Sequence, residues 1–233
     1  MPLVRPLWTA LLDLAAERDC GGCGSPQPSG APLCPACDGL LARSGPWRTL
    51  AAVPGTPRTH TVARYEDPVR TMLIAYKERG RTDLRRALGR ALARAVAPSL
   101  EALGGPAHAP VALVPMPSRR KAVRDRGEDT TARLARTAAR ALRDVGVPVR
   151  AVSALCHVRA VEDQAGLSRE HRQANLAGAL RARRAQAVAA SSVVLVDDIS
   201  TSGASLAEAA RALRTAGVPV LGAATIAAAR VRS

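Results

Sequence analysis

The sequence predicts an α/β fold, a parallel sheet covered by helices on both faces, with a small cysteine-rich module ahead of it. Three observations carry that prediction. From residue 60 onward, short apolar runs alternate with longer segments of helical period, the pattern of strand and crossover helix. Four of the five cysteines fall within the 18 residues from 20 to 37. The stretch "VVLVDDISTSGASL", residues 193–206, runs a continuous apolar strand into two carboxylates and then into a Ser/Thr/Gly loop that opens a helix. At 233 residues the chain can hold one well-cored α/β domain and a small appendage.

The elements follow in order. "CGGC" (Cys20, Cys23) and "CPAC" (Cys34, Cys37) are two Cys-x-x-Cys knuckles separated by 10 residues. Such pairs place four thiolates at the corners of a tetrahedron, the arrangement Zn²⁺ takes in structural sites. Four thiolates leave no open coordination position, so this zinc is expected to be structural. Residues 1–48 are therefore read as a zinc-binding domain. "SGPWRTLAAVPGTPRT" (44–59) holds three prolines and two glycines without periodicity and reads as a linker, with residues 49–59 separating the two domains. Beyond it, "HTVARYE" is a strand and "DPVRTMLIAYKERG" a helix opened by Asp67 and Pro68. "TDLRRALGRALARAVAPSLEAL" is a longer helix capped by Thr82 or Asp83. "APVALVPMP" is a buried strand, "EDTTARLARTAARALRDVG" a helix stopped at Gly146, and "VPVRAVSAL" another strand. "SSVVLVDDIS", the helix "GASLAEAARALRTAG" and the strand "VPVLGAATIAAA" complete the sheet.

Charge narrows the class of partner. The formal net charge is +15, and of the basic residues only Lys77 and Lys121 are lysines. A sequence pI near 11.3 favours phosphates, nucleotides or nucleic acid. Aromatic residues make up 2% of the chain and Phe is absent, which argues against base-stacking platforms. No apolar run long enough for a membrane span occurs, and Arg5, Asp13, Glu17 and Arg18 interrupt the start of the chain, so neither membrane insertion nor a clean secretory signal is expected. A cytoplasmic location follows as the expectation.

Ligands of open parallel sheets collect where strands end and helices begin. Residues Thr201 to Ser205 offer consecutive backbone amides and hydroxyls at a helix N-terminus, which suits a phosphate. Neither the P-loop signature nor the dinucleotide fingerprint is present. Asp197 and Asp198 are acceptors suited to vicinal hydroxyls or a hydrated divalent ion. A sugar bearing a 5-phosphate matches both halves.

The motif resembles the site for 5-phosphoribosyl 1-pyrophosphate in type I phosphoribosyltransferases. With the paired knuckles, "YKERG" at 76–80, "VPMPSRRKAVRDRG" at 114–127 and "QAGLSREHRQANLAGAL" at 164–180, the chain is similar to the ComF family, which includes proteins of competence and DNA uptake. The resemblance implies that residues 60–233 are a phosphoribosyltransferase-like domain. It implies that Asp197 and Asp198 hold the ribose, and that Ser200, Thr201, Ser202, Gly203, Ala204 and Ser205 cup the 5-phosphate. Arg119, Arg120, Arg124 and Arg126 would face the pyrophosphate, where guanidinium forks fit phosphate oxygens. Gln164, Arg172 and Asn175 match a flexible segment over the site, and Mg²⁺ would arrive with the donor. Two departures stand out: Glu128, Asp129 and Thr130 replace an aromatic and Asn-Gln, and Glu78 replaces an aromatic.

Several residues stand apart from the motif. Cys156 is read as a buried core thiol and Trp8 and Trp47 as packing for the small domain. His157 and His171 lie in the segment over the site, where acid/base work is an option beside a plain surface role. His60 and His108 are assigned nothing. The arginine-rich face "ARLARTAARALR" suits nucleic acid or solvent. Two functions follow. One is a phosphoribosyltransferase whose acceptor the sequence does not name. The other is a non-catalytic nucleotide- or single-stranded-DNA-binding accessory that works with DNA-uptake proteins.

Overall fold

A computed structural model describes residues 18–50, 53–102, 110–159, 175–189, 191–229 and 231–232. A seven-stranded mixed sheet organises it. Five strands are parallel and lie in the order β4 (Thr59–Arg64), β10 (Val220–Ala228), β9 (Ser192–Ser200), β5 (Val111–Pro115), β6 (Val149–Ala151). On the β4 side the sheet ends in two antiparallel strands, β3 (Trp47–Thr49) and β11 (Val231–Arg232). Trp47 to Thr49 lie in the segment read as a linker. Its backbone is taken up by the edge of the sheet because β4 would otherwise present a row of unpaired amides and carbonyls.

The central strands are buried on both faces, as parallel strands under crossover helices must be. Val194 and Val196 of β9 join one apolar cluster and Val193 and Leu195 the other. The first face is covered by α2 (Val69–Glu78), α3 (Arg85–Glu101) and α5 (Thr130–Arg143), the second by α6 (Ala204–Thr215) and a hairpin of β7 (Leu155–His157) and β8 (Leu180–Ala182). The hairpin takes up the end of the predicted strand "VPVRAVSAL", whose run is broken after Ala151. Cys156 lies on it half-buried, its thiol 3.8 Å from the Arg181 carbonyl, and so is not the core thiol expected.

Two helix starts differ from expectation. Pro68 precedes α2 without a side-chain cap, and Asp67 accepts a hydrogen bond from the Thr71 hydroxyl instead. Thr82–Leu84 form a 3-10 turn ahead of α3, and Asp83 is held by Arg81 at 2.9 Å rather than capping. Asp129 builds the start of α5, accepting from the Ala132 amide at 3.0 Å and from the Ser118 hydroxyl at 2.9 Å. Glu128 pairs with Arg133 on the same helix. Gly146 stops that helix with a left-handed φ of 84°.

The cysteine module comprises β1 (Arg18–Asp19), β2 (Pro26–Gln27) and α1 (Pro35–Arg43). Cys20, Leu33, Cys37 and Leu41 share one buried cluster with Met72 of α2, Leu84 just ahead of α3 and Leu88 within it. Side chains at Gly21 and Gly22 would collide with Leu84 and Met72, so the first knuckle sits directly on the helices of the larger domain. Among the described residues no helix is long and apolar enough to cross a membrane.

Candidate functional site

The chain leaves β5 toward β6 on one side and leaves β9 toward β10 on the other, so the carboxyl ends of β5 and β9 flank the point where strand order reverses. Open sheets bind ligands in this crevice. A cavity of about 480 Å³ opens there, walled by Asp197 near the end of β9 and Ser205 beyond it, Arg119 and Arg126 after β5, Lys77 from α2 and His157 from β7.

The two carboxylates have different surroundings. Asp197 faces the cavity and accepts a hydrogen bond from the Asp198 amide at 2.9 Å. Asp198 is 2% exposed, and its Oδ2 lies 2.5 Å from Lys77 Nζ, an ion pair without regular hydrogen-bond geometry. Burial, and after it the charge of Asp198, pushes the Asp197 carboxyl well above the usual carboxylate range. Burial opposes ionisation of Asp198 too, but the charge of Lys77 together with hydrogen bonding from Asp197, Lys77 and its own backbone amide outweighs it and holds that carboxyl below the range. Burial likewise favours neutral Lys77, and the two carboxylates reverse the balance and hold its ammonium pKa up. The two carboxylates are thereby made unequal, Asp198 favouring its charged form beside Lys77 while Asp197 takes up a proton more readily.

Beyond Ser200, which is buried, the chain turns through Thr201 and Ser202 into Gly203, whose φ of 84° starts α6. The Ala204 amide reaches the Ser202 hydroxyl at 3.4 Å, and Gly203 accepts from Ala207 at 2.8 Å. Among the described residues the amides of Ser202, Gly203, Ser205 and Leu206 have no acceptor. These donors and the positive end of the helix dipole make a cup for an anion. Its back is Thr56, whose hydroxyl bonds the Val53 carbonyl at 2.7 Å and that of Gly203 at 3.3 Å. Val53, Leu176 and Ala204 pack together beneath it.

Of the expected pyrophosphate-side arginines, the structure brings Arg119 and Arg126 to the cavity, Arg126 also donating to Thr130 at 3.2 Å. Arg124, on the short helix α4 (Arg120–Arg126) that follows β5, is exposed and outside the lining, and the side chain of Arg120 is outside the described set. Asn175 is not in the lining but precedes Leu176, which is, and its carbonyl is bonded by Arg159 at 2.8 Å. Gln164, Arg172, His171, His108 and Trp8 lie outside the described residues. His157 reaches the cavity, its Nε2 donating to the Pro117 carbonyl at 3.0 Å, which leaves the buried Nδ1 as an unpartnered acceptor. Sequence reasoning assigns no role to Lys77 or Thr56. Lys77 carried a signal, as one of two lysines in a chain whose other basic side chains are Arg, whereas Thr56 carried none.

In the knuckles, the sulfurs of Cys20, Cys23, Cys34 and Cys37 all lie within 4.8 Å of one another, and those of Cys23 and Cys34 are 3.7 Å apart. A tetrahedron of thiolates with metal–sulfur bonds of about 2.3 Å has edges of roughly 3.8 Å, so the spacing fits a metal ion. The Cys34 amide donates to Cys20 Sγ at 3.3 Å and the Cys37 amide to Cys34 Sγ at 3.5 Å, bonds that favour thiolates. Hydrogen bonding from Ser25 lowers the Cys23 thiol to about 6, while burial raises that of Cys37. Four thiolates so close need a cation to hold them ionised together.

A search of curated proteins finds no match to the chain. Residues 131–233, which carry α5, the hairpin, β9, the anion cup and α6, match the family model described as the phosphoribosyl transferase domain. That domain behind an N-terminal group of four cysteines fits a ComF-like layout.

Proposed function

We propose that the chain is a phosphoribosyltransferase-type protein of the ComF kind that binds 5-phosphoribosyl 1-pyrophosphate in the cavity at the ends of β5 and β9. The observation that supports this most is the meeting, on one cavity, of the inward-facing Asp197 carboxylate and Ser205, from the helix start whose amides are unbonded. The amides of residues 202–206 take the 5-phosphate, as backbone donors at helix N-termini do. Asp197 receives the ribose hydroxyls, and Asp198, fixed by Lys77, holds Asp197 in place through its amide. Arg119 and Arg126 bind the pyrophosphate and stabilise its charge as it departs. Oxygen donors of this kind suit Mg²⁺, which, bound with the donor, would supply further positive charge to the departing pyrophosphate. In the reaction a nucleophile forms a bond to the anomeric carbon, and the carbon–oxygen bond to pyrophosphate breaks with its electron pair leaving on oxygen. Holding the donor in this geometry is the main contribution of the protein. Zinc is the metal that best suits four cysteines, and residues 1–48 act as a structural module beside the domain.

The test is a calorimetric titration of the full chain with phosphoribosyl pyrophosphate, beside the double variant Asp197→Asn, Asp198→Asn. Loss of a charge-assisted bond costs roughly 1.5–3 kcal/mol, so the variant is expected to bind at least about tenfold more weakly. Full affinity in the variant overturns the carboxylate roles. A variant that loses the sugar phosphate but still binds single-stranded DNA, with affinity falling steeply in salt, separates the accessory DNA-binding role from this site.

A further inference from the structure

A groove of about 600 Å³ lies between α3 and α5, on the face of the sheet away from α6, and is larger than the cavity over Asp197. It is lined by six arginines, Arg85, Arg86 and Arg90 from α3 and Arg133, Arg136 and Arg140 from α5. Spacings of three or four residues, Arg86 to Arg90 on α3 and Arg133 to Arg136 to Arg140 on α5, set like charges on one face, where they repel. The two rows are also pressed together. A Cβ at Gly89 would lie 2.4 Å from Thr137 Cγ2, so the helices approach at a distance only glycine permits.

The protein neutralises little of this charge. Glu128 pairs with Arg133, Asp38 reaches Arg90 at 3.5 Å with both side chains at least half exposed, and Asp144 lies in the groove lining. Arg136 donates to the Ala132 carbonyl at 3.1 Å. Among the described residues the side chains of Arg85, Arg86 and Arg140 have no hydrogen-bond or ion-pair partner. Arginines spread over a surface by composition alone have no reason to line one groove at the closest approach of two helices.

We propose that this groove is a second anion site, for a compact chain of two or three phosphates such as that of a nucleoside di- or triphosphate. Guanidinium forks suit phosphate oxygens, and a closely packed set of them matches several adjacent charges. From Arg133 to Arg140 the stripe runs about 10 Å along the helix, the reach of a short phosphoanhydride chain and too short to track a polymer. The remaining lining is Thr137, Ala141 and Asp144, without an aromatic ring on which a base could stack. Recognition therefore rests on phosphate.

The test is calorimetry on the full chain with inorganic tripolyphosphate as probe, comparing the parent with Arg136→Gln, Arg140→Gln and, separately, with Arg126→Gln in the cavity at β9. Both groove residues are exposed on α5, so the variant keeps its fold, which thermal unfolding confirms. Each lost guanidinium contact weakens binding about tenfold or more, so the groove variant is expected to lose about 100-fold in affinity at one site. Arg126→Gln is expected to leave that site intact. Unchanged affinity and stoichiometry in the groove variant overturn the proposal. So does tighter binding of a single-stranded oligonucleotide of about ten residues that the groove variant abolishes, which makes the face a nucleic-acid surface. Failure of the sugar-phosphate site alone appears as binding insensitive to Arg126→Gln with the groove response preserved.

Discussion

Lys77 Nζ lies 2.5 Å from Asp198 Oδ2, tying the last turn of α2 to the carboxyl end of β9. Asp198 has 3% of its side chain exposed and Lys77 28%, so the charges are largely withdrawn from water. Removing one partner leaves the other uncompensated. Lys77→Met is expected to destabilise the fold by roughly 2–3 kcal/mol, less than a fully buried pair because the lysine keeps some solvent. Denaturant unfolding measures it, and a variant as stable as the parent contradicts the pairing.

Asp197 sets a pH dependence. Its folded pKa is raised above the ordinary 3.8 by burial and by Asp198, so the stability it contributes is fully present below the unfolded value. That contribution is lost as pH rises through the folded pKa, because ionising the buried acid becomes a growing penalty. Asp197→Asn cannot ionise. Its Tm relative to the parent is expected to rise with pH above about 4, and a difference flat with pH contradicts the assignment.

At Gly203 the backbone is left-handed, and an added Cβ would lie 2.8 Å from Thr56 Cγ2. Gly203→Ala is expected to cost about 1–3 kcal/mol and to weaken the rise in Tm that added phosphate gives the parent. Thr56→Ala in addition removes the collision but not the strain, so it recovers part of the stability. Equal stability of Gly203→Ala and parent rules out the tight seat of the loop.

The cysteine knuckles share their buried cluster with Met72, Leu84 and Leu88, so their packing and that of the helices are joined. Elemental analysis of protein purified without chelator is expected to find one zinc per chain. Removing it with a chelator, or Cys34→Ser, is expected to lower Tm by roughly 5–10 °C, since binding energy in such sites is folding energy. If the transition of residues 61–230 is unmoved, the shared core is wrong.

The alternation of strand and helix was legible because apolar runs and helical periods are local, and the segment at 193–206 announced its strand, carboxylates and loop in one line. Boundaries set by tertiary pairing were not. Trp47–Thr49 became a strand because the β4 edge needed a partner. The hairpin of Leu155–His157 with Leu180–Ala182 joins segments distant in the chain, which periodicity cannot connect. Asp197 and Asp198 read as equivalent acceptors, but their difference comes from Lys77, more than a hundred residues away in sequence. Arg119 and Arg126 reach the cavity while Arg124 turns outward, a choice made by the short helix Arg120–Arg126 that the sequence did not mark.

The most direct test is a crystal structure of the native chain with phosphoribosyl pyrophosphate and Mg²⁺. The 5-phosphate is expected within about 3 Å of the amides of residues 202–206, the ribose hydroxyls on Asp197 and the pyrophosphate beside Arg119 and Arg126. Donor bound elsewhere, with the cup at Gly203 empty at saturating ligand, would contradict the account.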